Sequence, residues 1–226
     1  MCIRDRQDCG YPYKELCGAG VAWNVIRVLY ENYDMDKREA EDLLDFVAMA
    51  TVCDVMSLTG ENRILVKEGL KRIRHTKNIG LQALMQACNV QPENISAYHF
   101  GYVLGPCVNA TGRLDTARHA LRLFETGQET EAEEIARDLV DLNQERKELT
   151  LQGVEMAKKL CEEGGYENDP VLVLFLPDVH ESIAGLIAGR IREMYNRPVF
   201  VLTRGEEGVK GLSLIHISEP TRRSYI

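Results

Sequence analysis

Residues 171–202 read VLVLFLPDVHESIAGLIAGRIREMYNRPVFVL, and this stretch decides the fold class. Val171–Leu176 is a continuous apolar run, the pattern of a strand buried on both faces. Glu181–Tyr195 follows with Ala184, Ile187, Ala188 and Ile191 at helical spacing. Val199–Leu202 is a second short apolar run. Strand, helix and strand in this order predict a βαβ unit and an α/β architecture. Gly185 and Gly189 lie one turn apart, where missing side chains let the helix approach the sheet closely.

Upstream the texture changes. Thr130–Glu163 contains no proline, is rich in Glu, Ala, Lys, Leu and Arg, and spans roughly 50 Å if it is one helix. Ile135, Leu139, Leu142, Leu149, Met156 and Leu160 trace a stripe along it in near-heptad steps. From Tyr11 to Val90 the chain is dense in short amphipathic helices. Cys17–Tyr30 places Val21, Val25, Val28 and Leu29 on one face. Arg38–Ala50 does the same with Ala40, Leu43, Leu44, Val47 and Ala48. Glu61–Arg74 repeats the pattern with Ile64, Leu65, Leu70 and Ile73, after a turn and helix-start signal at Thr59–Asn62.

The two ends call for separate treatment. Met1–Arg6 (MCIRDR) back-translates as ATG TGT ATA AGA GAC AGN, and Leu212–Ile217 (LSLIHI) as CTG TCT CTT ATA CAC ATN. Apart from the free final bases these are reverse complements, a relation that has no physical reason to exist between two protein termini. Both resemble a translated transposon end of the kind used in sequencing libraries, and Ser218–Arg222 continues it. Residues 1–6 and 212–226 are therefore expected to be adapter-derived, with a natural segment at 7–211.

The 226 residues carry a formal charge of −8; each tail contributes +1, which leaves −10 on the rest. An acidic surface argues against coating nucleic acid by bulk charge, though a local basic groove is compatible with it. No apolar run has membrane-spanning length and no signal peptide is present, so a soluble, cytoplasmic protein is expected. The seven cysteines (Cys2, Cys9, Cys17, Cys53, Cys88, Cys107 and Cys161) form no CxxC pair and no zinc pattern, and read as free thiols in a reducing compartment.

Four residues carry candidate chemistry. Asp54 follows an apolar helix, so its carboxylate sits at the edge of a core and must be hydrogen-bonded, paired or metal-bound. A helix cap, a structural aspartate and a ligand for Mn²⁺ or Mg²⁺ all answer to that. Arg113 falls in a Gly-Arg turn expected ahead of a Leu114–Phe124 helix; it could reach a phosphate bidentately or pair with Asp115. Asn109 could fix that turn or touch nucleic acid. His180 lies between a strand and a helix N-terminus, where it could bind a phosphate or cap the helix. Arg190 reads as a surface residue. Gly18 and Gly20 form no phosphate loop and suit close helix packing. His75, His99 and His119 have no ligand spacing, and His216 belongs to the tail.

A resemblance joins these residues. Tyr11-Pro12 with Glu15–Ala22 (ELCGAGVA) is similar to the segment that follows the Asp-His-His motif in the RecJ family of DHH phosphoesterases. Ala50–Leu58 (ATVCDVMSL) with Asn62-Arg63 resembles that family's fourth motif, whose aspartate binds metal. Asn109–Asp115 (NATGRLD) resembles the signature between the two lobes. His180–Arg190 (HESIAGLIAGR) resembles the opening of the nucleic-acid-binding domain called DHHA1. The motifs stand in family order over almost the whole natural segment. The resemblance implies the C-terminal part of a DHH domain at 7–92, a helical connector with a long helix at 93–165, and the N-terminal part of DHHA1 at 166–211.

It further implies a parent enzyme that degrades single-stranded DNA 5′ to 3′ to mononucleotides with Mn²⁺ or Mg²⁺ in recombination and repair. Asp54 becomes a metal ligand, and Arg113, Asn109 and His180 become phosphate or nucleic-acid contacts. The family's Asp-x-Asp, further Asp and Asp-His-His groups are not in this chain, so the chain alone is expected to be inactive. Single-stranded DNA is the expected partner, with repair or single-strand-binding proteins beside it; the oligomeric state is left open. The alternatives are a catalytically inactive RecJ-like scaffold and a short-oligonucleotide phosphodiesterase. A DHHA1 appendage of a tRNA synthetase fits less well, given Asp54 and its flanking motif.

Overall fold

A computed structural model describes residues 10–166, 169–205 and 208–214, with backbone alone for 213 and 214. The chain divides into a first unit, Met1–Leu142, and a second, Asn143–Ile226.

The first unit is helical. Its elements are α1 (Gly18–Asn32), α2 (Lys37–Asp42), α3 (Leu44–Cys53) and α4 (Gly60–Arg72), which tightens into a 3₁₀ turn at Ile73–His75. Then come α5 (Ile79–Ala87), α6 (Ala97–His99), a π-helical turn at Phe100–Leu104, α7 (Gly105–Leu114), α8 (Ala117–Glu125) and the start of α9 (Glu129–Gly164). The core gathers Ile73, Leu81, Leu84, Phe100, Leu104, Leu123 and Leu139, all fully buried. Gly69 lets α4 cross α3 closely: a Cβ there would lie 2.3 Å from the Leu44 carbonyl oxygen.

Several helices differ from their sequence reading. The Arg38–Ala50 helix is two helices broken at Leu43, whose N–H closes α2 on the Ala40 carbonyl, which also accepts from the Trp23 indole. In α1 the Val25, Val28 and Leu29 face is exposed. Trp23 is the buried anchor instead, its indole N–H donating to the Ala40 carbonyl at 2.7 Å. Ile64 is likewise exposed, while Leu65, Val66 and Ile73 point inward.

The second unit contains the C-terminal part of α9, β1 (Leu172–Phe175), α10 (Glu181–Tyr195), β2 (Val199–Gly205) and β3 (Gly208–Leu214). The expected βαβ unit is present: β1 pairs parallel with β2, from Leu172↔Val199 to Phe175↔Leu202. The helix has its predicted bounds and buries Ala184, Ile187, Ala188 and Ile191. Asn196, in the left-handed region at φ 50°, ends it as a C-cap.

Two expectations fail here. The strand β1 is not buried on both faces: Leu172 and Leu174 are covered, whereas Val173 and Phe175 are 58% and 46% exposed. The core of this unit lies on the α10 side of β1 alone. The α9 stripe is also offset from its sequence reading: in this unit Val154, Ala157 and Cys161 are buried, Leu149 and Leu160 pack only partly against the core, and Met156 is exposed. Seven residues fall short of two full turns of a straight helix, so near-heptad steps rotate off the buried face by about 20° per repeat.

The third strand was not expected. It runs antiparallel to β2, from Val199↔Leu214 to Gly205↔Gly208, and so includes Leu212–Leu214 from the stretch read as adapter-derived. Gly185 faces it: a Cβ there would meet the Leu212 side chain at 3.3 Å. The remaining tail residues, with Cys2, Cys9 and His216, lie outside the described residues. No disulfide joins Cys17, Cys53, Cys88, Cys107 and Cys161. No described helix is long and apolar enough to cross a membrane.

Candidate nucleic-acid interface

Asp54 occupies the C-cap of α3, with its N–H on the Ala50 carbonyl at 2.9 Å. The Val55 N–H returns to the Val52 carbonyl (3.0 Å) and the Met56 N–H to that of Thr51 (3.1 Å). This is a Schellman closure, which wants a left-handed residue just after the cap. Val55 fills that place at φ 54°, an uncommon conformation for a β-branched side chain. The Asp54 carboxylate is exposed.

The turn after Asp54 is fastened to the Tyr11–Cys17 segment. Asn62 is fully buried and donates from Nδ2 to the Glu15 carbonyl (2.7 Å) and the Ser57 carbonyl (3.0 Å). The Tyr13 hydroxyl donates to the Thr59 carbonyl at 2.8 Å, and that of Tyr11 to Glu61 Oε1 at 2.7 Å. Cys17 Sγ meets Thr51 Oγ1 at 3.3 Å. Two motifs some forty residues apart in sequence therefore form one piece of structure.

The helix that carries a third motif joins them. Cys53 Sγ donates to the Phe100 carbonyl at 3.4 Å. A Cβ on Gly105 would sit 2.4 Å from Cys53 Sγ and 2.5 Å from the Phe100 oxygen, so only glycine allows this approach. Burial, and secondarily the Asp54 charge, push the Cys53 thiol up to about 11; it stays protonated at neutral pH and supplies no thiolate. Asn109 is exposed on α7 and Arg113 half-buried one turn later on the same helix. The expected Gly-Arg turn is absent: Asn109–Leu114 is helical, and the chain breaks at Asp115 and Thr116 instead. Arg113 thus lies in the last turn of α7, where the helix dipole favours a cation.

His180 is the N-cap of α10. Its Nδ1 accepts from the Ser182 N–H at 3.3 Å and lies 2.6 Å from the Ser182 hydroxyl. The capping reading is realised, and it fixes the tautomer, since an accepting Nδ1 leaves the proton of a neutral ring on Nε2. Nearby, a cleft of about 340 Å³ is lined by Glu181, Ser182, Thr203 and Lys210. Thr203 is fully buried there and its hydroxyl has no hydrogen-bond partner among the described residues. Lys210 pairs with Glu181 at 2.8 Å and holds that carboxyl below its ordinary range.

Sequence reasoning missed a second basic feature of this unit. Arg190 lines a cleft of about 350 Å³ together with Arg146, Lys147 and one acid, Glu193, over Gly185 and Gly189. Arg190 is distant in sequence from the other two cations, so only the packing of α10 beside α9 reveals the group. His99 and His119, assigned nothing from sequence, have structural partners: Ser96 in a capping box, and Asp138 at 3.4 Å.

The residues present do not by themselves fit a divalent metal. Asp54 offers one hard oxygen ligand, and no group of three or more His, Cys, Asp or Glu side chains able to hold a metal occurs among the described residues.

No family model matches the chain. The single-stranded-DNA-specific exonuclease RecJ of Haemophilus influenzae is 35% identical over 213 residues, covering 89% of this chain and 37% of the relative. The crystal structure of RecJ from Thermus thermophilus in complex with Mn²⁺ superposes with a TM-score of 0.78 at 33% identity, over 91% of this chain and 30% of that one. The same protein in complex with Mg²⁺ gives 0.75 over 90% and 31%. The chain is thus similar to RecJ over about nine-tenths of its own length and spans about a third of the length of these relatives. Its helix-rich α/β fold with a small three-stranded sheet is shared with the RecJ structures.

Proposed function

We propose that this chain is the nucleic-acid-handling middle of a RecJ-type single-stranded-DNA exonuclease. In this reading 7–92 is the C-terminal part of a DHH domain, 93–165 the helical connector and 166–211 the opening of DHHA1. One observation carries it: the end of α3 that presents Asp54 is locked through Cys53 onto Phe100 and Gly105, on the rod that continues into Asn109 and Arg113. Candidate residues from distant motifs thereby stand on elements in direct contact.

Each residue has a chemical task. The Arg113 guanidinium grips a phosphate through paired N–H donors, and Asn109, one turn away, adds a donor on the same face. His180 caps α10 through Nδ1 and gives its Nε2–H to a phosphate at a helix end already favourable to anions. Asp54 would supply one carboxylate to a Mn²⁺ or Mg²⁺ ion, which would need further ligands beyond those the described residues bring together. The whole enzyme hydrolyses single-stranded DNA 5′ to 3′ to mononucleotides in recombination and repair, in the cytoplasm, beside single-strand-binding proteins.

The test is fluorescence anisotropy with labelled single-stranded DNA, with nucleotide release followed in parallel in Mn²⁺. The chain binds the strand and releases nothing. Arg113→Ala weakens binding roughly tenfold, the loss of a hydrogen bond to a charged group. His180→Asn keeps the cap, because asparagine is a good N-cap, yet weakens binding. Unchanged affinity in both variants, or metal-dependent release of nucleotides, contradicts the assignment of these residues.

A further inference from the structure

Tyr98 and Tyr102 stand on the rod formed by α6, the π-helical turn and α7, and they are 62% and 73% exposed. Their rings stack on one another with centroids 5.1 Å apart and planes 25° apart. Tyr98 is braced by the ring of His99, edge to face at 5.8 Å. His99 is itself pinned by Ser96, whose N–H reaches Nδ1 at 3.1 Å. Single exposed tyrosines need no explanation; a braced, stacked pair in water does.

The rod is built to present them. Pro106 has no N–H to return to the Tyr102 carbonyl, and the wide turn just before it absorbs the defect, with the Gly105 N–H bonding back to the Phe100 carbonyl. Phe100 and Leu104 are fully buried on the inner side. On the outer side Tyr98, Tyr102, Asn109 and Arg113 follow at steps of four, seven and four residues, one continuous helical face. From Tyr102 to Arg113 is roughly 16 Å along the axis, the reach of a few nucleotides. The same turn backs onto the α3 end beside Asp54: a Cβ on Gly101 would meet the Val52 side chain at 3.4 Å.

We propose that Tyr98 and Tyr102 form a base-stacking platform for a single nucleic-acid strand whose phosphates are gripped at Arg113. The inference rests on the nucleic-acid reading above and deepens it by naming what holds the bases. Tyr102, the more exposed ring and the one nearer Arg113, keeps one face that Tyr98 does not cover. A nucleobase has a π-face whatever its sequence, so the platform binds without reading sequence, and the guanidinium on the same face complements the backbone charge. Duplex DNA cannot use it, because its bases are already stacked.

The experiment compares binding of the chain to a short oligothymidylate and to an abasic strand of the same length. The chain prefers the base-bearing strand by roughly tenfold, the scale of one base stacked on an aromatic ring. Tyr102→Leu removes this preference and leaves abasic binding unchanged, while Tyr102→Phe retains it; matching thermal midpoints show that both variants fold. A preference that survives in Tyr102→Leu overturns the platform and leaves the nucleic-acid reading intact. Failure of the unsubstituted chain to bind either strand overturns both.

Discussion

Val55 shows how much a single residue contributes to the Asp54 turn. Its left-handed backbone is imposed by the Schellman closure, and its side chain is 88% exposed, so little burial offsets the strain. Val55→Gly should raise stability by about 0.5–1 kcal/mol, the relieved strain less the added freedom of glycine in the unfolded chain. A lower urea midpoint in that variant would show the conformation to be unstrained. Asp45 gives a pH signature of its own. It is buried, and that burial raises its carboxyl above the ordinary value of 3.8, against the hydrogen bonds it accepts from Thr76 Oγ1 (2.7 Å) and the Phe46 N–H (2.7 Å). The folded protein holds this proton more tightly than the unfolded chain does. Asp45 therefore contributes stability in full below about pH 3.8, and that contribution is lost as pH rises through its folded value. Asp45→Asn should flatten this part of the stability–pH curve; an unchanged curve contradicts the buried acid. None of this was legible in sequence, because nothing local distinguishes Asp45 or Val55 from surface residues. The Asp54 motif was legible, but its exposure was not.

At the scale of elements, periodicity located helices well and faces poorly. The α10 helix matched its predicted bounds, since its caps and its apolar spacing agree. The inner face of α1 did not, because a single tryptophan outweighs three aliphatic residues when its N–H also finds a carbonyl. The Gly112-Arg113 pair reads as a turn ahead of a helix from Leu114, yet it lies within a helix that continues to Leu114 and breaks at Asp115. An isolated glycine lowers helix propensity by only about 1 kcal/mol, and packing overrides that. Gly69 supplies the prediction at this level. With Leu44 O and Ala48 Cβ each 2.3 Å from where a Cβ would stand, Gly69→Ala must push α3 and α4 apart. A loss of about 1–3 kcal/mol is expected, read as a fall in urea midpoint at unchanged slope. A neutral effect would mean that the α3–α4 contact is loose.

For the whole molecule, the acidic charge of −8 hides local cationic features: Arg113 on the first unit, and Arg146, Lys147 and Arg190 around one cleft of the second. Composition argues only against coating nucleic acid by bulk charge and is compatible with a local basic groove, which is the kind of contact the resemblance implies. Four short motifs in the right order were enough to reach RecJ, because each combines a backbone requirement with a chemical group; the similarity over nine-tenths of the chain agrees with them. Of the proposed metal centre this sequence offers only Asp54, and no group of three or more side chains able to hold a metal forms among the described residues. The most direct test of the central claim is to read the encoding DNA across the junctions upstream of Gln7 and downstream of Gly211. An upstream frame that encodes an Asp-His-His triplet within a few tens of residues, preceded by Asp-x-Asp, is the predicted result and makes the parent an active exonuclease. A frame that opens there without those acids and histidines contradicts it and leaves a nucleic-acid-binding scaffold.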